Sequence, residues 1–439
     1  MIGQVFSHER AAMSASILSC DEEKIVLRIE VPLKQTMLEG EESLLQALND
    51  AGSLATSELL NRFDADGSPI VIGNTKYTKR SKDPKAYQTP YGEVTVSRCV
   101  YQTSKGGSSY CPLEHAARII GSSTPRFAKI VSSKYSALGA QEVVRDLTEN
   151  HCRPVARSFV KNLADLVGSI IETKEEIWSY AIPLLEQPIA TVSLGLDGTT
   201  IRMNDGSFRE AMVGSIGLYD SEGERMYTVY CGAAPEYGKK TFLDRFDREI
   251  QNTKQLYPDA TYLGVADGAV DNWTFLETRT DRRILDFYHA SEYIADAVDG
   301  VFAGTQGYAK RKEWLSTTCH DLKHKKGAAT KILKELTTWM SIKIPADRKE
   351  KVKKAVTYFT NNKSLMGYYA FVKDNLPIGS GITEAACRTI IKQRLCKSGM
   401  KWKLDGSAKV ISLRCLAQTK ERWNQFWGKI DQYGIMGQK

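Results

Sequence analysis

The sequence lacks any run of about 18 apolar residues, so no stretch of it is suited to span a bilayer as a helix. It also lacks the apolar centre of a secretory leader: MIGQVFSHERAAM carries charges where that centre would lie. It has no cysteine framework. Nine cysteines, at 20, 99, 111, 152, 231, 319, 387, 396 and 415, are odd in number and follow no framework spacing. They read as reduced thiols in a cytoplasmic protein. Internal repeats and low-complexity tracts are absent as well. What remains is a 439-residue chain, 42% apolar and 26% charged, with mean hydropathy −0.34. That excludes a disordered chain, a collagen-like repeat and a disulfide-stapled miniprotein. The length predicts about two to four domains.

The net charge of +8 is unevenly spread. Residues 305–439 hold 28 Lys and Arg against 10 Asp and Glu, a balance of +18. Residues 1–304 hold 32 against 42, a balance of −10. A basic C-terminal third on an acidic body suits a polyanionic partner, most simply nucleic acid. A solvated, lysine-rich helical face is the plainer reading.

Local patterns divide the chain. ESLLQALNDAGSLATSELLNRF (42–63) has apolar residues at helical spacing. Residues 74–105 carry seven Lys/Arg among Tyr77, Tyr87, Tyr91 and Tyr101, with a strand expected after the Pro90-Tyr91-Gly92 turn. That mixture suits a nucleic-acid surface, or an ordinary exposed hairpin. Residues 124–180 predict three helices. Gly139 would close the first, and Pro154 would lie in the first turn of the third. Arg153, Arg157 and Lys161 on that third helix fit the recognition element of a helix-turn-helix, and three-helix packing without DNA fits equally. From residue 190 three strands are followed by helix, strand, helix, strand (RRILDFYH), helix, an α/β sheet pattern that matches the strand order of an RNase H-like fold. Asp271 is the expected N-cap of the short helix DNWTFLETRT. Residues 305–376 then turn helical and basic, with Lys323, Lys325, Lys326 and Lys331 in one cluster.

Three acids stand in unexpected places. Asp197 lies inside the alternating strand ATVSLGLDGTTI, where an unpaired carboxylate is costly and a bound cation would remove the cost. Asp267 leaves the strand YLGVADG at its carboxyl end, where open α/β sheets bind ligands. Glu384 lies in the first turn of the helix after Gly379-Ser380-Gly381. Plain alternatives exist: Asp-Gly turns at the first two, helix-dipole complementation at the third. Taken together, three carboxylates in one α/β pattern suit a two-ion site for Mg2+ or Mn2+, the arrangement used in phosphodiester cleavage and strand transfer. Arg388 and Lys392, four and eight residues after Glu384, would hold substrate phosphates.

LGLDGTTI, YLGVADGAVDNW, ILDFYHASEYI, PIGSGITEAACRTIIKQRLCKSGMKW and DGSAKVISLRCLAQTKERWNQFW together resemble the ISKra-type insertion-sequence transposases of bacteria. These are DDE transposases with an RNase H-like catalytic domain, related to Mutator-like elements. The resemblance covers roughly residues 85–430, and the PIGSG block is its most specific part. It implies that Asp197, Asp267 and Glu384 bind the divalent metals. It implies that the 117 residues from Asp267 to Glu384 include an all-α insertion. Asp286-Phe-Tyr-His289 looks like the C/D-x-x-H motif of related transposases. By resemblance Asp286 and His289 lie beside the active site and contact DNA near the cleaved end. Magnesium prefers oxygen, so His289 is expected to act on the DNA in catalysis and not to ligate metal. Many relatives carry a close cysteine pair near the N-terminal Pro-Leu; here Cys99 and Cys111 stand apart. Neither Cys111 with His115 nor Cys319 with His320 and His324 supplies four ligands at finger spacing, so zinc is not expected.

The expected fold is thus a mixed α/β, RNase H-like core interrupted by an all-α insertion, behind a mostly helical DNA-binding region. The expected boundaries are a mixed region with a basic hairpin (1–120), a helix-turn-helix-like region (121–185), the first part of the core (186–304), the basic insertion (305–376) and the C-terminal core helices (377–439). The expected function is a DNA transposase that binds terminal inverted repeats and performs metal-dependent cleavage and strand transfer. It would act on double-stranded element-end and target DNA, as a dimer or larger, in the bacterial cytoplasm with the nucleoid when DNA-bound, and without a membrane partner. The alternatives are an RNase H-like nuclease or resolvase without strand transfer, and a non-enzymatic DNA-binding protein that kept the scaffold.

Overall fold

The computed structural model describes residues 14–302 and 308–435 and divides the chain into two compact units. One comprises residues 1–180 with 422–439, and the other residues 181–421. Most of the last helix therefore groups with the N-terminal part. The protein is mixed α/β. Among the described residues no helix is long and apolar enough to cross a membrane, and no disulfide joins any two of the nine cysteines.

The first unit opens with an antiparallel pair, β1 (Ala15–Cys20) and β2 (Ile25–Ile29), beside α1 (Met37–Asn61). Thr36 caps α1 by accepting from Glu39 N. A second sheet has the order β3 (Ile70–Ile72), β4 (Thr75–Gln88), β5 (Glu93–Thr103), β6 (Gly106–Tyr110). Gln88 pairs with Glu93 around the expected turn. Lys76, Lys79, Arg80 and Lys82 are exposed along this hairpin, while Val94 and Val96 turn inward.

α2 (Pro112–Ala116) leads to three packed helices, α3 (Pro125–Ala137), α4 (Ala140–His151) and α5 (Arg157–Glu175). Gly139 does not close α3 in a left-handed turn. At φ −73° it is the N-cap of α4, and its N–H donates to the Glu142 carboxylate at 2.6 Å. Cys152, at φ 51°, ends α4, so α5 starts four residues after Arg153, and Pro154 lies in the connection.

The second unit is built on a five-stranded sheet of order β11-β10-β7-β8-β9. β7 (Thr191–Arg202), β8 (Phe208–Tyr219) and β9 (Arg225–Ala233) form an antiparallel meander. α6 (Lys240–Leu256) then returns the chain to β10 (Thr261–Ala266), which lies parallel to β7 on its other side. α7 (Val270–Glu277) leads in the same way to β11 (Arg282–Leu285), parallel to β10. The N-cap of α7 is Ala269, so Asp271 is a first-turn acid and not the cap. β11 also ends earlier than its sequence suggests. Asp286 caps α8 (Phe287–Val301), and Asp286-Phe-Tyr-His289 is the helix start, not strand.

Phe242 and Phe246 of α6 stack under the meander, and Phe246 stacks again on Phe275. Each such buried ring contributes roughly 1.5–3 kcal/mol relative to exposure. α9 (Tyr308–His324), α10 (Ala328–Trp339), α11 (Ala346–Asn362) and α12 (Tyr368–Lys373) follow α8 and share a core with it and with β10 and β11. α13 (Gly381–Ala386) widens into a π turn over Cys387–Lys392 before α14 (Gln393–Leu395). α15 (Leu404–Ala417) packs on β9, and α16 (Lys420–Tyr433) begins at the boundary between the units.

Candidate functional site

Parallel pairing brings three acids into line. Leu194 of β7 is in register with Gly264 of β10, so Asp197 and Asp267 each lie three residues beyond that pair. Ala266 of β10 is in register with Leu285 of β11, so Asp267 and Asp286 each lie one residue beyond. Three neighbouring strands thus deliver Asp197, Asp267 and Asp286 to the carboxyl-end side of the sheet.

The three carboxylates have different surroundings. Asp197 is half-buried and accepts from Gly198 N at 2.7 Å and from the Cys387 thiol at 3.4 Å. Burial pushes its pKa up, and the charge of Asp267 pushes it further. The two hydrogen bonds and the nearby His289 oppose this without cancelling it. Cys387 is buried, and burial together with the Asp197 charge lifts its own pKa to about 12, so it remains an S–H donor at neutral pH. Asp267 accepts from Ala269 N at 3.1 Å and Asn272 Nδ2 at 3.5 Å. Asn272 Nδ2 also lies 3.3 Å from the carbonyl of Leu196, so one buried amide ties the backbone next to Asp197 to the Asp267 carboxylate.

Asp286 is wholly buried and its oxygens are occupied. Oδ1 accepts from Tyr288 N at 2.6 Å and His289 N at 3.2 Å. Oδ2 accepts from Ser380 N at 2.7 Å and from the Ser380 hydroxyl. The expectation that Asp286 contacts DNA is therefore corrected: it has no exposed surface to offer. Its role is to start α8 and pin the segment before α13, helped by Phe287 N donating to Ile378 O at 3.0 Å. Asp286, His289 and Glu384 each bring a ligand atom within 4.8 Å of the others. Asp286 would have to surrender its donors to serve a cation, so this trio is a poor metal site as it stands. His289 Nε2 lies 3.9 Å from Glu384 Oε1, and its Nδ1 lies 3.5 Å from Glu292. The imidazole therefore stands within electrostatic reach of both Asp197 and Glu384.

Glu384 is exposed, and its Oε1 lies 3.2 Å from the Ser380 hydroxyl oxygen, whose proton goes to the shorter contact with Asp286. Its helix is fixed one residue earlier. Buried Thr383 shares a 2.7 Å hydrogen bond with Ser215 of β8 and lies against Gly195 of β7, where any Cβ would collide with its hydroxyl. Arg388 and Lys392 are both exposed. On a regular helix each four-residue step drifts past a full turn. The wider π turn takes up the second step and helps keep both cations on the side of Glu384. Arg414 supports the turn, its Nε donating to Ile390 O at 2.8 Å and its Nη2 to Thr389 O. Burial and the Arg394 charge lower the Arg414 pKa to about 10, which leaves it charged at neutral pH.

The remaining candidates lie elsewhere. Lys323, Lys325 and Lys326 sit at the end of α9 and in the turn to α10; Lys325 is paired with Asp321 at 2.7 Å. Arg157 and Lys161 are exposed on α5 in the other unit. Arg153 is corrected from a DNA contact to a structural cation. It is buried, donates to Thr89 O at 3.0 Å and Gln88 Oε1 at 2.7 Å, and lies over the Phe127 ring. Cys387, Asn272, Ser380 and Arg414 were not singled out from sequence. Cys387, three residues after Glu384 on its helix, is the one that helical spacing alone points to. No protein-family model matches the chain, and no curated protein is significantly similar to it.

Proposed function

We propose that this chain is a DDE-type DNA transposase of the ISKra kind, with an RNase H-like core over residues 186–304 and 377–421 and a basic all-α insertion between them. One observation carries the reading. Asp197, inside β7, and Asp267, just past β10, occupy matched positions beyond the paired stretch of these two parallel strands, and a helix packed on the same sheet supplies Glu384. The sheet order, an antiparallel meander extended on its first strand by two parallel strands, supports the RNase H-like assignment.

The donor set fits a hard divalent cation. It is all carboxylate oxygen, and Asp197 is an acid whose burial and neighbouring charge disfavour ionisation unless a cation is present. Asp197, Asp267 and Glu384 would hold two Mg2+ or Mn2+ ions. Such ions, when bound, supply Lewis acidity to the attacking and leaving oxygens of an in-line displacement. The chain's own groups do the rest. Arg388 and Lys392 bind backbone phosphates of the element end. His289 hydrogen-bonds the DNA beside the cut without ligating metal, and exposed Tyr288 offers a stacking face to a displaced base. Water opens the phosphodiester at the element end, and the freed 3′-hydroxyl then attacks target DNA. Both ends must be held at once, so the working form is a dimer or larger on DNA. Terminal repeats are read by the N-terminal unit, where Arg157 and Lys161 remain the candidates. The protein would work in the bacterial cytoplasm, on the nucleoid.

The test uses the purified full chain, Mg2+ and labelled duplexes carrying the DNA that flanks the gene. Cleavage at the element ends and joining of the 3′ ends to a plasmid are expected, with both lost in Glu384→Gln while duplex binding persists. Cleavage without joining would favour a nuclease or resolvase, and wild-type cleavage by Glu384→Gln would remove the assignment. A second prediction concerns the basic helices. Replacing Lys323, Lys326 and Lys331 by Gln should flatten the log–log salt dependence of DNA binding by up to about 3, because each lost phosphate contact removes roughly 0.9 from the slope. An unchanged slope would mean that this cluster does not touch DNA.

A further inference from the structure

We infer that Tyr358 is a positioning residue through which the helical segment completes the metal site by fixing the Asp267–Gly268 turn. The inference rests on the reading of Asp267 as a metal ligand. Asp267 lies beyond the last paired residue of β10, so the sheet does not hold its backbone. Gly268 follows at φ +108°, a conformation with little steric restraint of its own. Ala269 N and Asn272 hold the Asp267 carboxylate, and its backbone carbonyl is held from 91 residues away, where the Tyr358 hydroxyl donates to it at 2.8 Å. The same ring covers the turn. A Cβ on Gly268 would lie 3.3 Å from Tyr358 Cε2 and 3.4 Å from Asn362 Oδ1.

Tyr358 is itself immobilised. Its ring stacks on Tyr293 of α8 with centroids 3.9 Å apart and planes at 15°. Asn362 Nδ2 donates to its carbonyl at 3.0 Å, and α11 buries Val352, Ala355 and Phe359. α8 is also the helix that Asp286 starts and that carries His289. One packed pair of helices therefore carries both His289 and the clamp on Asp267. The first turns of α11 expose Lys349, Lys351, Lys353 and Lys354, so the clamp lies at the far end of a basic helix. Groups that orient a ligating residue from behind typically change metal affinity or activity by about 10- to 100-fold when removed.

Tyr358→Phe keeps the ring and its stack and removes only the hydroxyl. The full-length variant is titrated with Mn2+, free ion being followed by electron paramagnetic resonance, and compared in thermal unfolding, duplex binding and single-turnover cleavage. The expected result is Mn2+ binding and cleavage rate each weakened by about 10- to 100-fold, with duplex affinity and Tm almost unchanged. Asp267→Asn is the control. If it loses Mn2+ binding while Tyr358→Phe keeps wild-type Mn2+ affinity and rate, the inference is overturned and the metal site stands. If Asp267→Asn binds Mn2+ like the wild type, the metal-site reading fails and takes the inference with it. Tyr358→Leu, which loses the stack as well, should lower Tm. A loss of Tm in Tyr358→Leu with no effect of Tyr358→Phe would make the residue a packing element alone.

Discussion

Asp197→Asn should abolish cleavage and, in the absence of metal, make the protein more stable. Loss of one ligand from a site of this kind removes several kcal/mol of transition-state stabilisation, a rate loss of roughly 10³-fold or more. The stability change follows from the sign of the pKa shift. The folded-state pKa of Asp197 lies above its ordinary value of 3.8, because of burial and then the Asp267 charge. The folded state therefore binds this proton more tightly than the unfolded chain does. The favourable contribution is complete below pH 3.8 and is lost as pH rises through the raised value. Above pH 3.8 the folded state is penalised for giving up this proton, and a neutral amide removes that penalty. Without metal, Asp197→Asn is expected to raise Tm. Saturating Mg2+ should stabilise the wild type, by about 2.7 kcal/mol at a hundred times its Kd, and the variant far less. Calorimetric scans with and without Mg2+ check both halves. A variant that melts lower without metal and gains as much from Mg2+ as the wild type would show that Asp197 is neither strained nor a ligand.

The same strain explains why Asp197 was conspicuous in the sequence. An acid inside an alternating apolar strand breaks the pattern, and breaking a local rule at an energetic cost marks a site. Asp267 was legible for a different reason: the end of an apolar strand is a position that the topology of α/β sheets sends to the ligand side. The meander, the two later strands and the helices after Phe302 could likewise be read from their periods.

Asp286 and Arg153 were misread for a shared reason. A charged side chain is exposed by default, and only its partners can override that. The partners lie 94 residues away at Ser380 and 64 residues away at Thr89, so no local pattern reveals them. β1 and β2 escaped notice because both are short and mostly exposed, leaving no buried face to impose alternation. The π turn is equally invisible, since CRTIIK carries no residue that breaks a helix and the support for the turn comes from Arg414.

Gly195→Ala should slow cleavage by roughly 10²-fold, although Gly195 touches no substrate. It lies two residues before Asp197 with its Cα facing α13. An added Cβ would run into Thr383 Oγ1, with Thr383 Cβ and the Val265 carbonyl both at 3.3 Å. The methyl group can fit only if α13 lifts from the sheet or Thr383 leaves its hydrogen bond to Ser215. Overpacking of this kind typically costs about 1–3 kcal/mol. The functional cost is larger because Glu384 is the next residue and travels with the helix, and a displacement of about 1 Å can reduce a rate by roughly 10²-fold. Thr383→Ala alone should lose the buried hydrogen bond, roughly 1 kcal/mol, yet leave the helix seated and cleavage largely intact. Combining the two removes the colliding hydroxyl. The double variant should therefore recover most of the rate lost by Gly195→Ala, with a coupling of about 0.5–3 kcal/mol between the two sites. Single-turnover cleavage and denaturant titrations on the four proteins measure that coupling. Additive losses would mean that α13 does not depend on the bare backbone at Gly195 to carry Glu384 to the aspartates.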